Sequence, residues 1–184
     1  MLNAIFDRRS IRAYSDEPID NETLTYLLRC AINAPTAHYQ QPWYFAAVTN
    51  KAILDELDAD FHRVYKNGRP MSNKPVTPDY KLFFNAPAVI FAYVSPSENP
   101  FSRLDCAMAM ENVVLAATEL GLGSLVNGYS IFMLKEHPDL NEKYKKLLQV
   151  PEGYEPVITA AIGKRKSALP DARPRDESKF KIID

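Results

Sequence analysis

The sequence predicts a single mixed α/β domain in which helices outweigh strands. Its length of 184 residues suits one domain. Helical and strand-like segments alternate along the chain, and neither an internal repeat nor a low-complexity tract divides it. Apolar residues make up 46% of the chain, which is ordinary for a globular protein with one core.

The first half of the chain is predicted to form a helix, a strand and a second helix. Asp20 can cap a helix that runs to about Asn33, since Pro35 forbids its continuation. Residues 43–49 (WYFAAVT) favour a strand, and residues 51–61 (KAILDELDADF) favour a helix. The segment 61–80 contains three prolines and one glycine, so we expect most of it to be a loop or lid.

The middle of the chain is predicted to be its most buried part. Residues 86–94 are apolar without alternation, as in a strand covered on both faces. Residues 102–120 form a helix that is apolar nearly all round and ends at two nearby glycines. A helix of this kind is buried in a core or in a subunit interface.

Shorter elements and a basic tail complete the chain. We expect a strand and turn at residues 124–128, a more polar helix at 139–148 and another covered strand at 155–163. Residues 164–184 are basic and poor in core residues. This tail is either disordered or laid across another surface, such as a partner chain.

Composition and charge exclude several classes of protein. Lys and Arg number 22 against 23 Asp and Glu, and the net charge of −1 gives no global attraction to nucleic acid or to anionic membrane. We expect no membrane span, since no apolar run approaches roughly 20 residues, and no signal peptide in residues 1–7. Cys30 and Cys106 are expected to be free buried thiols, which favours a cytoplasmic location. The histidines lack metal-ligand spacing.

Three stretches carry candidate chemistry, although the chain has no Rossmann, P-loop, nucleophile-elbow or zinc motif. Arg8, Arg9, Ser10 and Arg12 could bind a phosphate through guanidinium forks, or could form a solvated turn. The loop 34–43 (APTAHYQQPW) could hold the polar edge of a ring, or could simply connect a helix to a strand. Glycines at 121–128 allow a ligand to approach the backbone closely.

These stretches, in this order, resemble the flavin-dependent nitroreductase family. Residues 8–12 carry the R-R-S-x-R pattern of that family, and residues 35–43 resemble its P-S-x-x-N-x-Q-P-W pattern. Residues 120–124 carry the L-G-L-G-S end of its buried helix, and a strand ending at Gly163 precedes a basic tail. The resemblance covers nearly the whole chain apart from the segment 61–80.

The resemblance implies an α+β fold with a central, mostly antiparallel sheet flanked by helices. It also implies a homodimer that binds FMN at its interface, with the C-terminal tail extending over the partner. Arg8, Ser10 and Arg12 would hold the phosphate, ribityl chain and pyrimidine edge, and Arg9 would contribute backbone and charge. Residues 35–39 would line the flavin from the other subunit. Asn127 and Gly128 would lie beside the flavin N5 edge, and the arginines of the tail would reach back to the phosphate. The implied cofactor-binding residues are Arg8, Arg9, Ser10, Arg12, Pro35, Thr36, Ala37, Tyr39, Gln41, Leu125, Val126, Asn127, Gly128, Arg173 and Arg175.

Two residues depart from the pattern of the family. Tyr39 stands where the family commonly has Asn, and its ring could stack on or near the flavin. Glu111 stands in the buried helix where Gln is frequent, and a carboxylate near the ring would disfavour an anionic reduced flavin. Tyr39 could thus alter the polar contacts of the flavin, and Glu111 could alter its reduction potential or could simply face elsewhere.

The implied reaction takes a hydride from NAD(P)H through flavin N5 to an electron-poor acceptor such as a nitroaromatic or a quinone. Such a ping-pong reaction needs no side-chain acid or base, so we assign no catalytic residue and no metal. Cations in 61–80 could contact the dinucleotide phosphates, or this loop could be merely solvated. Three alternatives stay open: another reaction on the same fold (dehalogenation or dehydrogenation), a non-enzymatic FMN-binding protein, or an anion-binding interaction module without flavin.

Overall fold

A four-stranded antiparallel sheet forms the centre of the protein, in the strand order β1-β2-β4-β3. The computed structural model describes residues 3–71 and 74–183. The strands are β1 (Trp43–Val48), β2 (Ala88–Val94), β3 (Gly123–Asn127) and β4 (Glu155–Gly163). The helices are α1 (Asn3–Asp7), α2 (Asn21–Ile32), α3 (Lys51–Val64), α4 (Ser102–Glu119), α5 (Tyr129–Glu136) and α6 (Pro138–Leu147). The predicted α+β fold is confirmed.

Helices cover both faces of the sheet, so the core has two halves. Successive residues of a strand point to opposite faces, and every residue of β2 is buried. Phe91 packs in the half formed with α3, α5 and α6, whereas Ile90 packs in the half formed with α2 and α4. The strand β2 is therefore covered on both faces, as its unbroken apolar run predicted.

The two helices predicted in the first half of the chain begin at side-chain caps. Asp20 accepts a hydrogen bond from Thr23 N at 2.7 Å and caps α2, and Asn50 accepts one from Ala52 N at 2.9 Å and caps α3. Both caps satisfy backbone donors that a helix start leaves unpaired. The predicted helix 51–61 continues to Val64, so the first residues of the segment 61–80 are helical.

Two segments have less regular structure than their neighbours. Residues 65–71 and 74–80 contain neither helix nor strand, while Ser72 and Asn73 lie outside the described residues. His62 Nε2 lies 2.7 Å from the carbonyl oxygen of Tyr80, so the two ends of this segment are held together. The predicted tail 164–184 is exposed over most of its length and has one short 3₁₀ turn, at Glu177–Lys179; its last residue, Asp184, is also outside the described part.

The helix α5 was not predicted from the sequence. It starts after Gly128, which supplies no side-chain cap, and it spans only 8 residues. Ser130, Ile131, Met133 and Leu134 are buried within it, so it lacks the polar face by which a short helix is recognised. No helix in the described ranges is long and apolar enough to cross a membrane.

The N-terminal segment, residues 8–15, lies along the edge of the sheet and contacts both β3 and the start of the tail. Ile11 N donates to Ser124 O at 2.9 Å, and Ser15 N donates to Lys164 O at 2.9 Å. Lys166 N donates back to Ala13 O at 3.1 Å. The segment is therefore bonded to residues more than 100 positions away and brings both chain ends to one side of the molecule.

A pair of glycines makes room for this segment. Gly123 and Gly163 are directly opposite each other in the pairing of β3 with β4. A Cβ atom on Gly163 would lie 2.6 Å from Pro87 Cδ and 2.8 Å from Tyr14 Cδ1, closer than real Cβ contacts. Tyr14 is buried, and its hydroxyl lies 3.0 Å from Ile11 O. Any side chain at Gly163 would therefore displace the N-terminal segment.

We expect Gly163→Ala to lower the free energy of unfolding by about 2 kcal/mol or more, because neither Pro87 nor the buried Tyr14 ring can move aside freely. Gly128→Ala is the matched control, since a Cβ there meets no atom within 4 Å; we expect a loss of about 0.5 kcal/mol, since Ala is a poorer helix N-cap than Gly. Urea denaturation of both variants measures the difference. Equal stabilities would contradict this account of the glycine pair.

Candidate functional site

A cavity of about 670 Å³ lies between the N-terminal segment and the tail. Its volume is within the range of small-molecule sites, roughly 300–1,000 Å³. Five arginines and a single carboxylate are among its lining residues. The cavity, called here the arginine cavity, is lined by Ile5, Phe6, Arg8, Arg9, Ser10, Ile11, Arg12, Ala13, Ser167, Ala168, Pro170, Asp171, Ala172, Arg173 and Arg175.

The charge of the arginine cavity is not neutralised within the described chain. Arg8, Arg173 and Arg175 make no ion pair and donate no side-chain hydrogen bond to any residue in 3–71 or 74–183. Among the described residues Arg12 donates only to the carbonyl oxygen of Ser10, at 3.3 Å. Free guanidinium groups that converge on one space fit a phosphate, whose oxygens accept paired N–H donors.

Arg9 has a different role from the other arginines. Its Nη1 donates to Phe6 O at 2.6 Å and to Arg8 O at 3.0 Å, and its Nε donates to Pro170 O at 3.2 Å. These bonds join the end of α1 to the tail. The side chain of Arg9 therefore shapes one wall of the cavity, and its remaining capacity to bind an anion is small.

A second cavity, of about 400 Å³, shares Arg12 and Ala13 with the arginine cavity. Sequence analysis did not identify it, because most of its walls come from residues 77–85, which follow no recognisable motif. Aromatic and charged side chains both line it, which suits a flat polar ring. Its other lining residues are Tyr14, Asp16, Thr77, Asp79, Tyr80, Lys81, Phe84, Asn85 and Lys166.

Contacts of Asp58 and of Arg69 hold the far wall of the second cavity. Asp58 accepts a hydrogen bond from Leu82 N at 2.7 Å and pairs with Lys81 at 3.4 Å. Burial raises the pKa of the Asp58 carboxyl, while the bond from Leu82 and the charge of Lys81 oppose that rise. The guanidinium of Arg69 lies over the Tyr80 ring, 4.9 Å from its centroid. These contacts hold Lys81 and Tyr80 in the wall of the second cavity.

The predicted loop 35–41 lies away from both cavities of its own chain. None of Pro35, Thr36, Ala37, Tyr39 and Gln41 lines either of them. His38, Tyr39 and Gln41 have positive φ angles of 53°, 57° and 47°, and each such residue costs about 1–3 kcal/mol. Tyr39 is 83% exposed at the top of this loop. The loop presents its aromatic ring outward in a strained backbone conformation.

The predicted residues of β3 are divided between the core and the surface. Leu125 and Asn127 are buried, whereas Val126 and Gly128 are exposed. The side chain of Asn127 donates to Leu82 O at 2.6 Å and accepts from Ser130 N at 3.2 Å. Its amide is therefore occupied by the fold, and a ligand at this end of the sheet would meet the exposed residues.

Of the predicted site residues, the structure brings together those from the two chain ends. Arg8, Arg9, Ser10, Arg12, Arg173 and Arg175 line one cavity. The loop 35–41 and the residues 125–128 lie outside that cavity, and Glu111 is exposed on α4. No cluster of three or more metal-ligating side chains occurs within the described ranges.

The chain resembles known proteins in sequence and in fold. Residues 5–164 match the model of the Nitroreductase family. A relative from Archaeoglobus fulgidus, provisionally named an NADH dehydrogenase/NAD(P)H nitroreductase, is 30% identical over 181 residues, or 97% of this chain and 88% of the relative. An FMN-dependent nitroreductase from Clostridium difficile has a TM-score of 0.84 at 28% identity, covering 98% of both chains. A nitroreductase with bound FMN from Bacteroides fragilis has a TM-score of 0.87 at 26% identity, covering 100% of this chain and 98% of that one.

Proposed function

Because this chain belongs to the nitroreductase family, we propose that it is an FMN-dependent oxidoreductase. It takes a hydride from NADH or NADPH and passes it to an electron-poor acceptor such as a nitroaromatic or a quinone. The observation that carries this proposal is the convergence of five arginines, from both ends of the chain, on one cavity of about 670 Å³. A phosphorylated cofactor accounts for that concentration of charge in a protein whose net charge is −1.

The residues of this chain fit the two ends of FMN. Arg8, Arg173 and Arg175 have no partner among residues 3–71 and 74–183, so their guanidinium groups would be available to the phosphate. Arg12 lines both cavities, and it is placed to contact a ligand that extends from one to the other. Bound FMN would supply the hydride chemistry, and the protein would supply position, charge and exclusion of water.

The positive charge of Arg12 has a second consequence. A guanidinium at the polar edge of a flat ring favours negative charge that develops there on reduction. In the described part of the chain the one hydrogen bond of this side chain is to Ser10 O, so it is free to turn toward that edge. The protons that a quinone or nitro group takes up on reduction can come from water, so no side-chain acid or base is needed and we assign no catalytic residue.

We further propose that the active form is a homodimer, to which the loop 35–41 and the tail contribute across the interface. Leu104 and Met108 are one turn apart on α4 and are 58% and 41% exposed. Phe180 and Ile182 of the tail are 71% and 80% exposed. Apolar side chains with so much exposed surface are stabilised when a partner covers them. In that dimer Tyr39 would approach the cofactor of the partner, and Gly128 its own.

The cellular location that we propose is the cytoplasm. Cys30 and Cys106 are both free thiols, and Cys106 is buried as predicted, whereas Cys30 is only half-buried, contrary to the prediction. Burial raises the pKa of the Cys106 thiol to about 12. Thiols of this kind are kept reduced in the cytosol and pack as small apolar side chains.

Arginine variants test the assignment of the cofactor. We expect Arg8→Ala and Arg12→Ala to weaken FMN binding by roughly 10- to 100-fold, the cost of one charge-assisted bond. Arg9→Ala is the matched control: it should weaken binding less and lower stability more, because its guanidinium already bonds to Phe6, Arg8 and Pro170. FMN titration measures the affinities, with circular dichroism to verify folding. Unchanged FMN affinity in all three variants would contradict the assignment.

Reduction of the bound flavin tests the reaction. Anaerobic addition of NADH or NADPH should bleach the visible flavin absorption, and a quinone or nitroaromatic should then restore it. A halogenated phenol that restores the absorption better would favour dehalogenation on the same fold. Bound flavin that neither nicotinamide reduces would favour a non-enzymatic FMN-binding protein, and a colourless protein that takes up no FMN would leave only the anion-binding module.

The dimer has its own test. Obligate interfaces commonly bury more than about 2,000 Å², so we expect light scattering at micromolar concentration to give twice the mass of the chain. Leu104→Glu should favour the monomer, because it places a charge in the covered surface. A stable monomer that retains FMN in the unmodified protein would contradict this part of the proposal.

A further inference from the structure

A buried carboxylate on α4 holds the strained loop. Asp105 is only 2% exposed, and its Oδ2 accepts a hydrogen bond from Ala37 N at 3.2 Å. Within residues 3–71 and 74–183 this is the one hydrogen bond that the side chain makes, and it pairs with no cation. A buried carboxylate is costly unless its partners compensate it. Asp105 lies in the first turn of α4, and its hydrogen bond joins that helix to the loop.

The bonded residue, Ala37, directly precedes a run of left-handed backbone. Three consecutive or nearly consecutive residues, His38, Tyr39 and Gln41, have positive φ angles, and none of them is glycine. Such a conformation persists only where the surroundings determine it. The other contacts of the loop are weaker candidates: Gln40 bonds to Asn99 in an exposed position, and Gln41 N bonds to Thr36 Oγ1 within the loop itself. Asp105 supplies the buried contact to the rest of the fold.

We propose that Asp105 is a positioning residue, which fixes the loop 36–41 in its left-handed form and so sets where Tyr39 is presented. This inference rests on the proposed function for its consequence, that Tyr39 approaches the cofactor of the partner subunit. The anchoring itself is a property of one chain. A loop released from Asp105 would relax, and the ring of Tyr39 would lose its fixed place on the dimer surface.

Hydrogen exchange tests the anchoring without cofactor or activity. The amides of Ala37, Tyr39, Gln40 and Gln41 are all hydrogen-bonded, so the loop is expected to be protected in the unmodified protein. Asp105→Leu removes the acceptor, and exchange in residues 36–42 should accelerate about tenfold or more, while exchange in β2 should be unchanged. Asp105→Asn keeps an acceptor oxygen and should restore protection to within about twofold. If Asp105→Leu does not fold, Asp105→Ala carries the same expectation.

Asn112 provides the matched control. It lies two turns further along α4, where its Nδ2 donates to Cys30 O at 3.1 Å and so joins α4 to α2 rather than to the loop. Asn112→Leu should leave the exchange of residues 36–42 as in the unmodified protein. Loop protection that survives Asp105→Leu, or that is lost equally in Asn112→Leu, would overturn the proposal.

FMN titration then tests the consequence. We expect Asp105→Leu to raise the FMN dissociation constant about tenfold, with Asp105→Asn and Asn112→Leu close to the unmodified protein. Faster loop exchange with unchanged FMN affinity would overturn the link to the cofactor. An unmodified protein that binds no FMN would defeat the proposed function instead, and the exchange result would still decide the anchoring.

Discussion

The hydrogen bonds that hold the N-terminal segment to β3 and to the start of the tail are the constraint on which the candidate site depends. Ile11 N bonds to Ser124 O on one side, and the main chains of Ser15 and Lys164 bond on the other. These contacts require the close approach that Gly123 and Gly163 permit. They place the arginines of residues 8–12 opposite those of residues 173–175, which are separated by most of the chain. Without this arrangement the arginines would be scattered surface charges.

Five of the predicted site residues outside the arginine cavity are exposed, namely Pro35, Tyr39, Gln41, Val126 and Gly128, whereas Leu125 and Asn127 are buried. Tyr39 is exposed on a strained loop, and Leu104 and Met108 are exposed on the helix beside it. In a monomer these features would lower the free energy of unfolding without compensation, because backbone strain and apolar exposure are both destabilising. In the proposed dimer a second copy of the chain would cover the apolar face and contact the loop, and these contacts would offset both costs. The division of the predicted site into an inner and an outer part is therefore the main structural argument for the proposed dimer.

Local chemistry determined how far the fold could be predicted from sequence. Asp20 marks the start of α2 because a capping carboxylate acts on its own next turn, and β2 is evident because both of its faces are apolar. The helix α5 escaped prediction because its start at Gly128 has no side-chain cap and much of its length is buried.

The candidate site was predictable only in part, for a related reason. The arginines of residues 8–12 stand in a recognisable sequence pattern. Their convergence with the arginines of the tail depends on tertiary structure, because it is set by hydrogen bonds between distant residues. Lys81 and Tyr80 enter the second cavity because residues 77–85 fold back toward Arg12, and nothing near them in sequence indicates this. Likewise, the side chain of Asn127 is hydrogen-bonded to Leu82 and Ser130, which its position at the end of β3 does not reveal.

A double-mutant cycle on Arg8 and Arg173 tests most directly whether the two chain ends act on one ligand. FMN dissociation constants are measured for the unmodified protein, Arg8→Ala, Arg173→Ala and the double variant, and the series is repeated with riboflavin, which lacks the phosphate. Convergence on one phosphate predicts a coupling of about 0.5 kcal/mol or more with FMN and none with riboflavin. Losses that add within about 0.3 kcal/mol for FMN, or that are equal for the two ligands, would contradict the central claim that both ends of the chain bind the same phosphate.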